Sequence, residues 1–186
     1  EAKVALLSAG QIPFYEPALP ELLSKHVTSG KLRFTTSIAE AVDFAELHFV
    51  CVGTPQKLGE YAADLTFVDA AFESLLEHVR PGAVVVGKST VPVGTASRLA
   101  GLVRDAKAEL VWNPEFLREG FAVEDTLRPD RIVIGVEDDR ARELLEQVYA
   151  PILATDVPVV ITDFATAELV KVAANSFLAT KISFIN

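Results

Sequence analysis

These 186 residues predict a doubly wound α/β fold, in which a parallel sheet is covered by helices on both faces. Three observations predict it. Short runs rich in Val and Ile are apolar on both faces, as the strands of a sheet covered on both sides must be. Segments of helical period separate these runs, so strand, helix and strand succeed one another, and right-handed crossovers then build one sheet. Finally, Gly53-Thr54-Pro55, Ser89-Thr90 and Asn113-Pro114-Glu115 each follow a strand directly, at the carboxyl edge where such sheets hold ligands.

Each element has its own signal. Ala2, Val4, Ala5, Leu6 and Leu7 begin a helix that Gly10 stops. Residues 47–52 form a buried strand closed by Gly53-Thr54-Pro55. Asp64 caps a helix over 65–79 whose apolar face is Val68, Ala71, Phe72, Leu75 and Leu76, and Pro81-Gly82 ends it. Residues 83–87 are the next strand. The loop 89–94 leads into a helix over 95–107, then a strand over 109–112. A strand over 131–136, a helix over 140–149 and a short strand over 158–161 follow. Asp163 starts a terminal helix in which Val170, Val172, Ala173, Phe177, Leu178 and Ile182 recur at helical spacing.

Composition narrows the function. Half of the residues are hydrophobic and 23% are charged, which is a core-forming composition and not a disordered one. No apolar run approaches the roughly 20 residues of a membrane span. Lys and Arg number 17 against 26 Asp and Glu, a formal charge of −9. Such a chain repels bulk nucleic acid and anionic lipid, so neither is expected as a partner. One cysteine, Cys51, excludes a disulfide scaffold and a zinc cluster, and fits a reducing, cytoplasmic setting. His26, His48 and His78 show no metal-ligand spacing, so no metal site is expected. With no methionine, an acidic first residue and a last helix that meets no Gly or Pro, the sequence reads as part of a longer polypeptide.

Several groupings suit chemistry, and each has a plainer alternative. Gly53-Thr54-Pro55 and Ser89-Thr90 present small residues, hydroxyls and amides to a nucleotide or sugar. Ordinary βα turns use the same residues. Glu115 and Glu119 are four apart and would share one face of a helix, one as general base and the other orienting it. Acids at a solvated helix start have the same spacing. Lys171 and Asn175 are also four apart, on an apolar helix. They either point together into a cleft to stabilise an oxyanion or bind a phosphate, or leave the Lys to snorkel to water. Cys51, inside an apolar strand, reads as a small buried hydrophobe.

Six blocks occur in order: Ile12-Pro13-Phe14-Tyr15-Glu16-Pro17; Val52-Gly53-Thr54-Pro55; Lys88 through Gly94; Asn113-Pro114-Glu115-Phe116-Leu117-Arg118-Glu119-Gly120; Pro129 through Gly135; and Glu168-Leu169-Val170-Lys171 through Asn175 to Asn186. In this order and spacing they resemble the UDP-glucose 6-dehydrogenase family of NAD-dependent nucleotide-sugar dehydrogenases, over essentially the whole chain. The resemblance implies a Rossmann-like fold and oxidation of UDP-glucose to UDP-glucuronate with two NAD reduced, through a cysteine-bound intermediate. It implies that Val52, Gly53 and Thr54 touch NAD, and that Thr90 and Glu119 belong to the cofactor edge and the water-handling step, with Glu119 as general base. It further implies that Glu115, Phe116 and Leu117 line the sugar-nucleotide site, and that Lys171 and Asn175 polarise the reacting oxygen and hold the catalytic water.

The same resemblance divides the chain into a partial NAD-binding domain over 1–162 and the start of a central connecting and dimerising helix over 163–186. A homodimer or higher homo-oligomer is expected. The family's glycine-rich loop and first strand, and its catalytic cysteine motif in a C-terminal domain, are absent from these residues, so this segment alone is expected to be inactive. Ala18 stands where the family usually has Gly. GDP-mannose and UDP-N-acetylhexosamine dehydrogenases share much of the pattern. Gly59-Glu60-Tyr61-Ala62-Ala63-Asp64-Leu65 and the unbroken 113–120 block lean toward UDP-glucose. A non-catalytic nucleotide-binding module on the same fold is the alternative of a different class.

Overall fold

A computed structural model describes residues 1–186. Its five apolar runs pair in sequence order as one sheet: β1 (Leu47–Val50), β2 (Val84–Gly87), β3 (Glu109–Trp112), β4 (Ile132–Val136) and β5 (Val159–Thr162). The helices are α1 (Ala2–Ser8), α2 (Leu19–Thr28), α3 (Ile38–Phe44), α4 (Thr66–Leu76), α5 (Thr95–Asp105), α6 (Ala122–Leu127), α7 (Asp139–Leu153) and α8 (Phe164–Ile185). None is long and apolar enough to cross a membrane.

Alternate residues of the strands feed two cores. On one face Val85, Leu110, Trp112 and Val133 pack against α4, α5 and the start of α8. On the other, Val84, Val86, Val111, Ile132 and Ile134 pack against Ala141 and Leu145 of α7. Two glycines permit close approach. A Cβ on Gly87 would run into the Trp112 ring. One on Gly135 would lie 2.7 Å from the Ala167 Cβ and 3.0 Å from the Asp163 carbonyl.

The sheet corrects the expectation of uniformly parallel strands. β1–β2–β3 are parallel and β4–β5 are parallel, but β3 and β4 are antiparallel. A parallel return needs a crossover that travels back along the sheet. The segment after β3 contains only the six-residue α6 and otherwise builds a loop at the carboxyl edge, so β4 starts where β3 ended. The reversal has a consequence for α8. β5 leaves the sheet heading away from the ligand edge, and α8 turns back toward it.

Local signals explain most ends. Gly10, at φ +75°, stops α1 with Gln11 and Gly10 amides donating to the Leu6 and Leu7 carbonyls. Asp163 caps α8 by accepting from Thr166 N, which holds its carboxyl below the ordinary range. Asp64 accepts from Thr66 N and Oγ1, so α4 begins at Thr66 and ends at Leu76, short of Val79. Helix α7 runs past Tyr149 to Leu153 and tolerates Pro151 in its last turn. Helices α2, α3 and α6 have no counterpart in the sequence reading. They are short, and only Leu23 and Val42 among their residues are buried.

Candidate functional site

The register of the three parallel strands builds one edge. Val50 is aligned with Gly87, and Gly87 with Trp112. The residues that follow, Cys51, Lys88 and Asn113, therefore emerge side by side. Two hydroxyls stitch the first two loops together: Ser89 Oγ donates to the Val52 carbonyl and Thr54 Oγ1 to the Thr90 carbonyl, both at 2.7 Å. The side chains of Ser89 and Thr54 thus turn inward, and the Gly53 backbone is left uncovered with open space around its Cα.

Asn113 anchors the third loop. Its Nδ2 donates to the Val133 carbonyl at 2.8 Å, and its Oδ1 accepts from Tyr149 OH at 2.6 Å and Lys88 Nζ at 3.0 Å. Lys88 also donates to the Asn113 carbonyl at 3.3 Å and lies against the Phe49 and Tyr149 rings. No carboxylate pairs with this cation. Burial lowers its pKa, while Cys51 and Glu115 pull it back up. Burial also pushes Tyr149 up to about 12.

The fourth component is α8. Ala167 packs on Gly135, which is aligned with Trp112 at the end of β3. One turn later, Lys171 Nζ lies 3.0 Å from Glu115 Oε1, three residues past Trp112. The Lys171 residue is 7% exposed. Its ammonium lies 5.4 Å from the centre of the Phe116 ring, and the Arg131 guanidinium lies 4.4 Å from the same ring. Phe116 therefore faces two cations.

The structure brings the expected residues into two groups: Val52, Gly53, Thr54 and Thr90 at one part of the edge, and Glu115, Phe116 and Lys171 at another. Asn175 follows Lys171 by one turn and is exposed. The expectation that Glu115 and Glu119 share a helix face is wrong. Residues 113–118 are irregular, and Glu119 and Gly120 form a turn with Gly120 at φ +79°. Side chains capture the amides a helix would use. Glu115 Oε2 accepts from Leu117 N at 2.5 Å, and Asp125 accepts from Arg118 N at 2.8 Å. Glu16 accepts from Gly120 N at 3.1 Å and Val123 N at 3.3 Å. Glu119 is left exposed, in contact with none of the other expected residues through a hydrogen bond.

Cys51 is also corrected. The strand ends at Val50, and Cys51 is exposed and not a core residue. The inner side of the thiol still faces protein, and this burial raises its pKa against the opposing charge of Lys88. Sequence reasoning gave no role to Lys88, Arg131, Glu16 or Glu168. A charge that directly follows or interrupts an apolar run, as in Val86-Gly87-Lys88 and Ala167-Glu168, is the signal that marks two of them.

Fold and site together define a Rossmann-like domain of the dehydrogenase class, with small residues and backbone amides at the carboxyl edge of its parallel strands. The chain belongs to the UDP-glucose/GDP-mannose dehydrogenase family, whose NAD-binding domain matches residues 1–153. It is 47% identical over 192 aligned residues to the UDP-glucose 6-dehydrogenase of Rhizobium meliloti, covering 100% of this chain and 44% of that protein. Among solved structures, a UDP-glucose dehydrogenase from Pyrobaculum islandicum superposes with TM-score 0.91 at 42% identity, over 100% of this chain and 44% of that one. A GDP-mannose dehydrogenase from Pseudomonas aeruginosa superposes with TM-score 0.92 at 31% identity, over 99% and 44%. The chain thus spans less than half the length of these relatives. NAD is the cofactor of the family's domain. The stitched edge fits it, since the open backbone at Gly53 leaves room for a flat ring system to approach.

Proposed function

We propose that this chain is the NAD-binding part of an enzyme that oxidises the primary alcohol of UDP-glucose to the carboxylate of UDP-glucuronate. The observation that carries the reading is the Lys171–Glu115 pair, held at the same edge as the Val52–Thr54 and Thr90 loops. NAD, bound twice in succession, supplies the acceptor for the two hydrides lost when a primary alcohol becomes a carboxylate.

The chain's own residues divide the remaining tasks. Val52, Gly53, Thr54 and Thr90 hold the dinucleotide against the sheet edge. Glu115 aims the nearly buried Lys171, so its ammonium can donate to the reacting oxygen as negative charge develops there. Asn175, one turn further along α8, holds a water. Glu119, exposed at its turn, takes a proton from that water as general base. The Glu115-Phe116-Leu117 segment lines the sugar nucleotide. Greater identity to UDP-glucose dehydrogenases than to the GDP-mannose enzyme supports the choice of substrate.

Residues 163–186 then begin a connecting helix, and its exposed Leu169, Phe177, Leu178, Ile182 and Phe184, spread around the helix, are apolar surface that a second copy covers. The test is steady-state NADH formation by the full-length protein. Glu119→Gln and Lys171→Ala each lower kcat by about 10²-fold or more. Parental rates in both variants would favour a non-catalytic nucleotide-binding module.

A further inference from the structure

We propose that Glu168 is the positioning residue that fixes Lys171 relative to the Thr90 loop; this rests on the roles given above to those two residues. Glu168 lies on α8, one turn before Lys171, and is 1% exposed. No Lys or Arg pairs with it. Instead its two oxygens accept from Gly94 N at 2.7 Å and Ala96 N at 2.6 Å. These amides open α5, whose own N-cap is Gly94 and supplies no capping side chain. Two of the amides that open α5 are therefore satisfied by another helix.

Stability alone does not call for this arrangement. A local acid caps a helix without burying a carboxylate deep in the fold. Helix α7 shows the local solution, with Asp138 accepting from Arg140 N at 2.8 Å and Ala141 N at 3.2 Å. What the long-range cap adds is register between α8 and α5. A continuous path results. Thr54 bonds to Thr90, and the chain runs from Thr90 to Gly94. Glu168 then bonds to Gly94, and one helical turn leads to Lys171 and Glu115. Gly135 fixes how closely α8 approaches the sheet, and Glu168 fixes where it stops along α5.

The experiment uses the full-length protein, with NADH formation from UDP-glucose as the assay. Both oxygens of Glu168 face N–H donors, so Glu168→Gln sets an amide N–H against one of them. Glu168→Asp keeps the charge and withdraws it by one methylene, and serves where the Gln variant does not fold. The expected result is a kcat lowered about 10- to 100-fold with KM for NAD within about threefold of the parent, because the Val52–Thr54 edge is untouched. Asp138→Ala, a cap remote from the site, lowers the thermal midpoint and leaves kcat unchanged. In a Lys171→Ala background, Glu168→Asp adds no further loss, since both act through one ammonium. Parental kcat in the Glu168 variants, or a full multiplicative loss in the double variant, overturns the proposal. A parent protein that forms no NADH from any nucleotide sugar removes the functional reading first, and the proposal with it.

Discussion

The Lys171 ammonium lies 3.0 Å from Glu115 Oε1 and joins the terminal helix to the loop after β3. The two partners differ in exposure, with side chains 9% and 33% accessible. Removing either one should therefore not cost the same. Glu115→Gln leaves a buried ammonium without a counter-charge, whereas Lys171→Met keeps the buried stem and leaves a carboxylate that reaches water. Glu115→Gln is expected to cost about 1–3 kcal/mol, below the full value for a buried pair because Glu115 is partly solvated, and Lys171→Met at most about 1 kcal/mol. Urea unfolding of the two variants checks the order.

The contact between Gly135 and Ala167 predicts a size-sensitive seam. Gly135→Ala forces a methyl within 2.7 Å of the Ala167 Cβ, with the Asp163 carbonyl and the Phe164 Cα of the same helix start 3.0–3.2 Å away. The expected cost is about 1–3 kcal/mol. Ala167→Gly in the same chain recovers part of it. Equal stability of Gly135→Ala and the parent would show that α8 does not sit against β4 as described.

His48 predicts a pH dependence. It is buried on β1 with its Nε2 unpartnered, and burial lowers its pKa from 6.5. The unfolded chain then binds the proton more readily than the folded one. Stability from this residue is full above the unfolded value and declines as pH falls through 6.5 toward the lowered folded value. His48→Leu keeps the volume and removes the titration. Urea midpoints at a neutral and a mildly acidic pH should fall less for the variant than for the parent.

The sequence disclosed this fold through its strands. All five runs are strands within two residues of their expected ends, because short Val- and Ile-rich runs bounded by turn residues carry no helical period to misread. The turn from β3 to β4 was not legible. Its direction depends on whether the 113–131 segment crosses the sheet, and that segment is held by hydrogen bonds to distant residues, including those Glu16 accepts from Gly120 and Val123. Glu115 and Glu119, four apart in sequence, do not share a helix because side chains capture the amides of this segment, Glu115 that of Leu117, Asp125 that of Arg118 and Glu16 that of Gly120. Lys171 and Glu115 were each marked by local pattern. That they meet required the reversed β4 and β5, which send α8 back to the ligand edge. The roles of Lys88 and Glu168 were hidden for a related reason, since their partners, Asn113, Tyr149, Gly94 and Ala96, lie 25 to 74 residues away.

The most direct measurement is NADH formation by the full-length protein with UDP-glucose, GDP-mannose and a UDP-N-acetylhexosamine in parallel. The predicted result is turnover of UDP-glucose with two NADH formed per sugar, and kcat/KM values for the other two sugars lower by at least about tenfold. Equal or better turnover of GDP-mannose, or no NADH from any of the three, would contradict it.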